Sequence, residues 1–218
     1  MCNIVRLMTL CRSGTDKTKR ENLKKDLKTE ELTLAASSQT MTLTVDKLFT
    51  SSVKLSGAAI VEFVKALCKI SWEEITNTSY AVEHPPLYCL QRLVEISYYN
   101  MNRIRVEWSQ IWTVLGEHFN QVGCHSNTQV SFFAIDKMRQ LAHKFLELEE
   151  LPNFKFQREF LRPFEVILLG NPDQKIKDMT LSCLQQMIQS KPKSLKSGWK
   201  SIFAAIHHSA KDINGKSS

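Results

Sequence analysis

The chain has 218 residues, of which 43% are apolar, and a formal net charge of +7. This apolar content is enough to bury a core and excludes a wholly disordered chain. Seven glycines are few for a turn-rich all-β fold, so the composition favours helices in one or two domains.

The positive charge is concentrated at the two ends. Residues 1–30 carry 8 Lys/Arg against 4 Asp/Glu and residues 191–218 carry 6 against 1, whereas residues 31–190 carry 15 against 17. Basic ends are typical of contact with anionic lipid, acidic protein or nucleic acid, and equally of solubilising tails.

The cysteines and the apolar runs indicate a cytoplasmic protein. The six cysteines form no CxxC motif, which favours reduced, buried thiols over a disulfide or zinc framework. Arg6 interrupts the short apolar run at the start, so no signal peptide is evident. No apolar run approaches the roughly 18 residues that indicate a spanning helix.

Residues 1–43 are predicted to be a basic segment that is poorly ordered or partly helical. The stretch "SGTDKTKRENLKKDLKTEE" is highly charged, and "AASSQTMTLT" (residues 35–44) has the composition of a linker. Residues 44–212 are predicted to form a helical-repeat region, and residues 213–218 a disordered tail.

Seven amphipathic helices are predicted along residues 53–212. Ser56 is placed to cap the first, Pro85 and Pro86 open the second, and Asn127 or Ser126 caps the fourth. The third helix carries one apolar face and ends near Gly123. That face consists of Ile104, Trp108, Ile111, Trp112, Leu115 and Phe119.

The last three helices are marked by prolines and aromatic residues. The fifth spans roughly residues 154–169, where Pro163 is expected to kink or split it. Gly170, Asn171 and Pro172 separate it from the sixth, with Asn171 as the expected cap. The seventh begins near Ser197, and its predicted buried stripe is Trp199, Ile202, Phe203 and Ile206.

This order of helices predicts an all-α fold. Helices of 12–20 residues joined by short loops are typical of a HEAT- or armadillo-like solenoid, in which neighbouring pairs bury each other's faces. A compact helical bundle is the alternative.

The sequence offers no catalytic, cofactor or metal site. It contains no phosphate-binding glycine loop, HExxH, GxSxG or EF-hand pattern. His118, Cys124 and His125 do not have the spacing of metal ligands on a helix. Asp136, Glu147, Glu149 and Glu150 are expected on exposed faces rather than in one cleft.

Basic residues of three helices are the candidate interaction surface, for anionic lipid or an acidic protein. The aromatic residues lie in core register and are not interleaved with basic ones, which disfavours nucleic acid. The candidates are Arg103, Arg105, Arg158, Arg162, Lys193, Lys196 and Lys200.

Several strings resemble one protein family: the large guanine-nucleotide exchange factors for ARF GTPases, of the brefeldin A-inhibited type. They are "VDKLFTSSVKLSGAAIVEFVKALC", "LQRLVEISYYNMNRIRVEWSQIW", "LGEHFNQVGC", "NFKFQREFLRPFE" and "KSGWKSIF". Together they cover roughly residues 44–212. Because the strings are long, their match to the family is more specific than a shared pattern of apolar residues along helices would be.

The resemblance implies that this chain corresponds to the helical region that lies downstream of the catalytic Sec-seven domain in the family. The Pro-Gly-Glu loop of the catalytic glutamic finger is absent from the sequence, and about 43 residues before the matched segment are too few for that domain. No catalytic residue is therefore expected, and no cofactor.

As implied by the resemblance, the expected role is a regulatory scaffold at the cytoplasmic face of Golgi membranes. The implied partners are GTP-bound ARF, the anionic membrane surface, and other regions of the exchange factor or its dimer partner. The alternative is a free-standing helical-repeat adaptor without a GTPase link. Which surface of the scaffold binds does not follow from the fold.

Overall fold

The computed structural model describes residues 39–77 and 85–215, with side chains of the last helix described up to residue 209. The chain divides into two compact units, Met1–Leu48 and Phe49–Ser218. In the first unit, residues 39–48 are helical, so the part of the predicted linker at residues 39–44 is helix instead. Residues 1–38, with their charged stretch, and the tail at 216–218 lie outside the described residues.

In the second unit, a 3-10 turn at Ser51–Lys54 precedes seven α-helices, and the described residues contain no strand. Their bounds are α1 Gly57–Thr76, α2 Tyr88–Asn100, α3 Arg105–Gly123, α4 Thr128–Phe145, α5 Gln157–Gly170, α6 Gln174–Ser190 and α7 Trp199–Gly215. The all-α prediction is confirmed. The helix α7 continues past the boundary predicted at residue 212.

The helices pack in pairs and in two rows. The pairs α1 with α2, α3 with α4, and α5 with α6 are in contact. One row joins α1, α3, α5 and α7, and the other joins α2, α4 and α6. Each inner helix therefore contacts its pair partner and the next helix of its own row.

Local capping signals set several helix starts. Ser56 Oγ accepts a hydrogen bond from Ala59 N, and Asn127 Oδ1 accepts from Gln129 N and Val130 N. The cap of α6 is Asp173, which accepts from Lys175 N, and not Asn171 as expected. Asn171 is buried instead.

The side chain of Asn171 joins the end of α3 to α5. Its Nδ2 donates to the carbonyl of Gly123 at 2.9 Å, and its Oδ1 accepts from Asp173 N at 2.9 Å. The helix α5 remains one helix across Pro163.

Aromatic side chains make the centre of the core. Trp108 and Trp112 are 0% and 3% exposed, which confirms their predicted burial. The ring of Phe160 lies between Trp112 and Phe145, with centroid distances of 4.1 and 4.2 Å. Ile104 was predicted to belong to the apolar face of α3. It is exposed instead, because it precedes the first turn of that helix.

Candidate interaction surface

The structure gives Arg103 an internal role and not a surface one. Its guanidinium donates to the carbonyls of Ser52, Val53 and Leu55, at 3.2, 3.0 and 2.6 Å. It also donates to Asn100 Oδ1 at 2.7 Å, and it pairs with the carboxylate of Glu107 at 3.0 Å. Arg103 therefore holds the 3-10 turn against the start of α3. Its charged guanidinium makes its contacts within the fold.

Arg105 is also separated from the other candidate residues. It is the first residue of α3 and half-buried, and its Nη2 lies 3.4 Å from the carbonyl oxygen of Glu149. It therefore faces the segment between α4 and α5.

The other candidates lie along α5, along α7 and just before α7, which the structure brings together. Arg158 N donates to Ser197 Oγ at 3.3 Å, and Ser201 Oγ donates to Arg158 O at 2.9 Å. Arg162 is one turn further along α5. We name the following residues the α5–α7 cation cluster: Arg158, Arg162, Lys193, Lys196 and Lys200.

Every member of the α5–α7 cation cluster is exposed. Arg162 lies 3.7 Å from Glu159. For the other four, no carboxylate lies within ion-pair distance among the described residues. The cluster thus presents largely uncompensated positive charge to solvent.

A part-buried polar junction holds α5 beside the start of α7. The carboxylate of Glu150 accepts from Ser197 N at 2.9 Å and from Gln157 N at 3.0 Å, and Ser197 Oγ donates a short hydrogen bond to it. Gln157 is 1% exposed, and its side chain bonds Ser194 O and Lys196 N. Glu150 was expected on an exposed face, but it joins Gln157, 7 residues along the chain, to Ser197, 47 residues along the chain. The contact with Ser197 is beyond the reach of local pattern.

The helix α7 exposes part of the stripe that was predicted to be buried. Ile202 is buried, while Phe203 and Ile206 are 62% and 43% exposed. The ring of Trp199 stacks on that of Phe203 with a centroid distance of 5.5 Å. Ser201 contacts α5, and Phe203, two residues further along α7, lies on the opposite side of that helix.

A groove lies between α3 and α5. It has a volume of about 490 Å³, and the loop before α5 forms part of its lining. Trp112 and Gly116 contribute from α3, Pro163 from α5, and Phe154 from the loop.

The titratable side chains considered as metal ligands serve the fold. His118 Nε2 lies 3.0 Å from Ser71 Oγ, both side chains being buried, and burial lowers the pKa of His118 to about 4. His125 Nδ1 accepts from Asn127 N at 3.0 Å. Within residues 39–77 and 85–209, no three His, Cys, Asp or Glu side chains are grouped so as to hold a metal ion.

The described cysteines have the character of buried thiols. Cys68, Cys89, Cys124 and Cys183 are free. Burial raises the pKa of Cys68 to about 12, and those of Cys89 and Cys183 to about 11. These groups are therefore protonated at neutral pH and are poor nucleophiles.

Across the described part of the chain, no helix is both long enough and apolar enough to cross a membrane.

Comparison with known proteins identifies the region that carries the cation cluster. Residues 144–217 match the Sec7-like HDS family, described as Mon2/Sec7/BIG1-like, HDS. The whole α5–α7 cation cluster lies within this match.

Three curated relatives cover most of the chain. Brefeldin A-inhibited guanine nucleotide-exchange protein 1 of Rattus norvegicus is 51% identical over 81% of this chain. The ADP-ribosylation factor guanine nucleotide-exchange factor sec72 of Schizosaccharomyces pombe is 49% identical over 91%, and SEC7 of Saccharomyces cerevisiae is 41% identical over 83%.

The matched region is a small part of each relative, 9% of the rat and budding-yeast proteins and 11% of the fission-yeast protein. The predicted resemblance is confirmed at the level of the family. The chain belongs to the large ARF guanine-nucleotide exchange factor family, of the brefeldin A-inhibited type, and its residues 144–217 match the Sec7-like HDS region.

Proposed function

We propose that this chain is a non-catalytic regulatory scaffold, which binds GTP-bound ARF and the anionic cytoplasmic face of Golgi membranes. The observation that carries the proposal is the α5–α7 cation cluster within the matched HDS region. An exposed cluster of this size supports contact with an anionic surface, at about 1 kcal/mol per basic residue.

The scaffold is proposed to be a HEAT- or armadillo-like solenoid. The pairing of consecutive helices and the two rows of contacts support this architecture, because each pair packs on the next. Such a scaffold suits regulation, since it holds several binding surfaces in fixed relation. Other regions of an exchange factor, or its dimer partner, are further proposed contacts.

Membrane recruitment is proposed to need two signals. A modest basic surface binds a bilayer weakly, and stable attachment generally takes a second contact. A lipid-anchored GTPase in its GTP form would supply it. Binding of the product of exchange would then recruit more exchange factor to the same membrane.

Liposome flotation tests this function. The purified chain is mixed with anionic vesicles that carry lipidated ARF loaded with a non-hydrolysable GTP analogue or with GDP. We expect flotation with the GTP form to exceed flotation with the GDP form at least fivefold. Equal flotation with both forms would leave a basic membrane module, and none would leave an adaptor without a GTPase link.

A triple variant tests whether membrane binding depends on the α5–α7 cation cluster itself or on the overall positive charge of the chain. Arg158→Gln, Lys196→Gln and Lys200→Gln together are expected to reduce flotation on anionic vesicles. The matched control removes the same charge from exposed lysines on other elements: Lys54→Gln, Lys69→Gln and Lys175→Gln. Unchanged nucleotide release from ARF at high concentrations of the chain would support the non-catalytic part of the proposal.

A further inference from the structure

The helix α7 carries a stripe of apolar side chains on its solvent side. Trp199, Phe203 and Ile206 are spaced by four and three residues, so they lie on one face of the helix. Phe203 and Ile206 are 62% and 43% exposed, and the half-buried ring of Trp199 stacks on that of Phe203. We name these three residues the α7 stripe. Their spacing predicted burial, yet the described residues leave Phe203 and Ile206 open to solvent.

The packing of the helices gives the α7 stripe a definite place in the fold. The three helices that precede α7 in its row, α1, α3 and α5, each pack against a pair partner as well as along the row. Within the described part of the chain, α7 packs mainly on α5, and no further helix follows it as a pair partner. Ser201 makes the contact with α5, and Phe203 lies on the opposite side of α7. The α7 stripe is therefore the open face of a helix whose row neighbours are all paired.

The shape of the α7 stripe suits another helix. Positions spaced by four and three residues form the narrow seam along which one helix packs on another, whereas a helix that lies in a lipid surface presents a larger apolar face. The buried Ile202 and Ala205 lie on one side of the stripe, and the exposed Lys200 and His207 lie on the other. The stripe is thus a seam between a packed side and a polar side, which is a width that one helix covers.

The charge around α7 indicates that this helix is acidic. Residues 191–218 carry 6 Lys/Arg against 1 Asp/Glu. Lys200 borders the α7 stripe, and no carboxylate of the described residues lies within ion-pair distance of it. A second copy of this chain would bring two such basic segments together, which is electrostatically unfavourable. A helix with acidic residues beside its apolar seam would instead pair with Lys200.

We propose that the α7 stripe is the docking face for one amphipathic helix with an acidic edge, provided by another region of an exchange factor of this family. The apolar seam of that helix packs on Phe203 and Ile206, and its acidic edge pairs with Lys200. Docking there repeats the pairing seen for α1 with α2, α3 with α4 and α5 with α6.

The curated relatives have ample sequence for such a helix, because the match covers only 9% of the rat and budding-yeast proteins and 11% of the fission-yeast protein. The inference rests on the proposed solenoid scaffold, and it does not depend on the proposed contacts with a GTPase or a membrane.

Peptide binding tests the docking face. The probes are overlapping synthetic peptides that cover brefeldin A-inhibited guanine nucleotide-exchange protein 1 of Rattus norvegicus. Each is about 20 residues long, which as a helix spans about 30 Å. Fluorescence anisotropy measures their binding to the full chain, without lipid or GTPase. We expect at least one peptide with an apolar seam and an acidic edge to bind, and Phe203→Ser to weaken its binding at least tenfold.

Three comparisons make this result specific. Ile70→Ser, at an exposed apolar position of α1, is the matched control and should stay within twofold. Because Phe203 is exposed, we expect Phe203→Ser to leave the midpoint of thermal unfolding unchanged. Lys200→Glu should weaken binding of the same peptide at least fivefold, and the loss should shrink at high salt. Unchanged affinity of Lys200→Glu would overturn the acidic edge.

Other results would overturn the docking face itself. These are the absence of any bound peptide, or equal binding to the wild type and to Phe203→Ser. A dimer of the free chain in sedimentation velocity that Phe203→Ser abolishes would assign the α7 stripe to a second copy. Flotation on anionic vesicles without GTPase that Phe203→Ser abolishes would assign it to lipid. The peptide assay contains neither membrane nor GTPase, so its failure leaves the flotation test of the proposed function standing, and the converse also holds.

Discussion

The indole of Trp112 takes the place of the amide hydrogen that Pro163 lacks. Within a helix, the amide of residue 163 would donate to the carbonyl of Glu159, and proline has no such hydrogen. Trp112 Nε1 donates to that same carbonyl at 3.3 Å from the neighbouring helix. The tryptophan therefore links α3 to α5 at the point where α5 would otherwise carry an open carbonyl.

This relationship predicts coupling between the two residues. Trp112→Phe is expected to cost about 1–2 kcal/mol beyond its packing loss, because the Glu159 carbonyl loses its donor. In a Pro163→Ala background, the new amide supplies a donor, so the same substitution costs less. Urea unfolding of the four proteins in a double-mutant cycle measures a coupling of about 1 kcal/mol. Additive effects of the two substitutions would contradict the finding that the Trp112 indole N–H takes the place of the amide hydrogen that Pro163 lacks.

Trp108 is expected to serve packing alone. It is 0% exposed, and its Nε1 has no hydrogen-bond partner among the described residues. Trp108→Ala is predicted to cost roughly 3–5 kcal/mol, measured by chemical denaturation. Trp108→Phe is the control, and we expect a smaller loss because it keeps a ring and removes the unpaired N–H group. A Trp108→Ala protein of wild-type stability with altered binding would instead make this a surface site.

The starts of α1 and α4 could be predicted because their signals are local. Ser56 and Asn127 cap their helices through contacts two or three residues away, and the burial of Trp108 and Trp112 follows from helical periodicity. The cation cluster could be predicted in part. The spacing of Arg158 and Arg162 placed them on one face, but the contact of Arg158 with Ser197 and Ser201 depends on tertiary packing.

The features that the sequence did not reveal depend on distant partners. Arg103 was a candidate for the interaction surface, but three of the carbonyls to which it donates lie about 50 residues earlier in the chain. Glu150 and Ser197 are separated by 47 residues. The exposed ring of Phe203 follows from which side of α7 packs on α5, which helical periodicity alone does not decide.

A side chain at Gly123 is predicted to clash with Ile167. A Cβ there would lie 2.2 Å from Cδ1 and 2.6 Å from Cγ1 of Ile167 on α5. Gly123→Ala should therefore destabilise the chain by about 1–3 kcal/mol through overpacking, although alanine favours helix. Ile167→Val removes Cδ1 and should recover part of this loss in the double variant. Thermal unfolding of the single and double variants tests it, and an equally stable Gly123→Ala protein would show that Ile167 moves freely.

Arg103 is predicted to be a structural residue rather than a binding residue. Arg103→Lys keeps the charge but cannot reach three carbonyls and two side chains at once. We expect it to lower the free energy of unfolding by about 2–3 kcal/mol, because several acceptors lose charged donors. Arg162→Lys, on an exposed side chain, serves as the control and should change stability by less than about 0.5 kcal/mol. Equal stability of the two variants in urea would return Arg103 to the candidate surface.

His118 is predicted to make the fold sensitive to mild acid. Burial lowers its pKa from 6.5 to about 4, so between these values the unfolded chain binds a proton that the folded chain does not. The contribution of His118 is therefore complete above pH 6.5 and falls as the pH approaches 4, by up to about 3 kcal/mol.

Substitution of His118 isolates this contribution from that of the carboxylates. His118→Gln keeps a polar group near Ser71 Oγ, which lies 3.0 Å from His118 Nε2, but does not titrate. We expect its free energy of unfolding, measured by urea at several pH values, to fall less steeply than that of the wild type between pH 6.5 and 4. Because the acidic residues are common to both proteins, their titration cancels in the difference. Parallel curves over this range would mean that His118 takes up its proton in the folded chain without loss of its buried position.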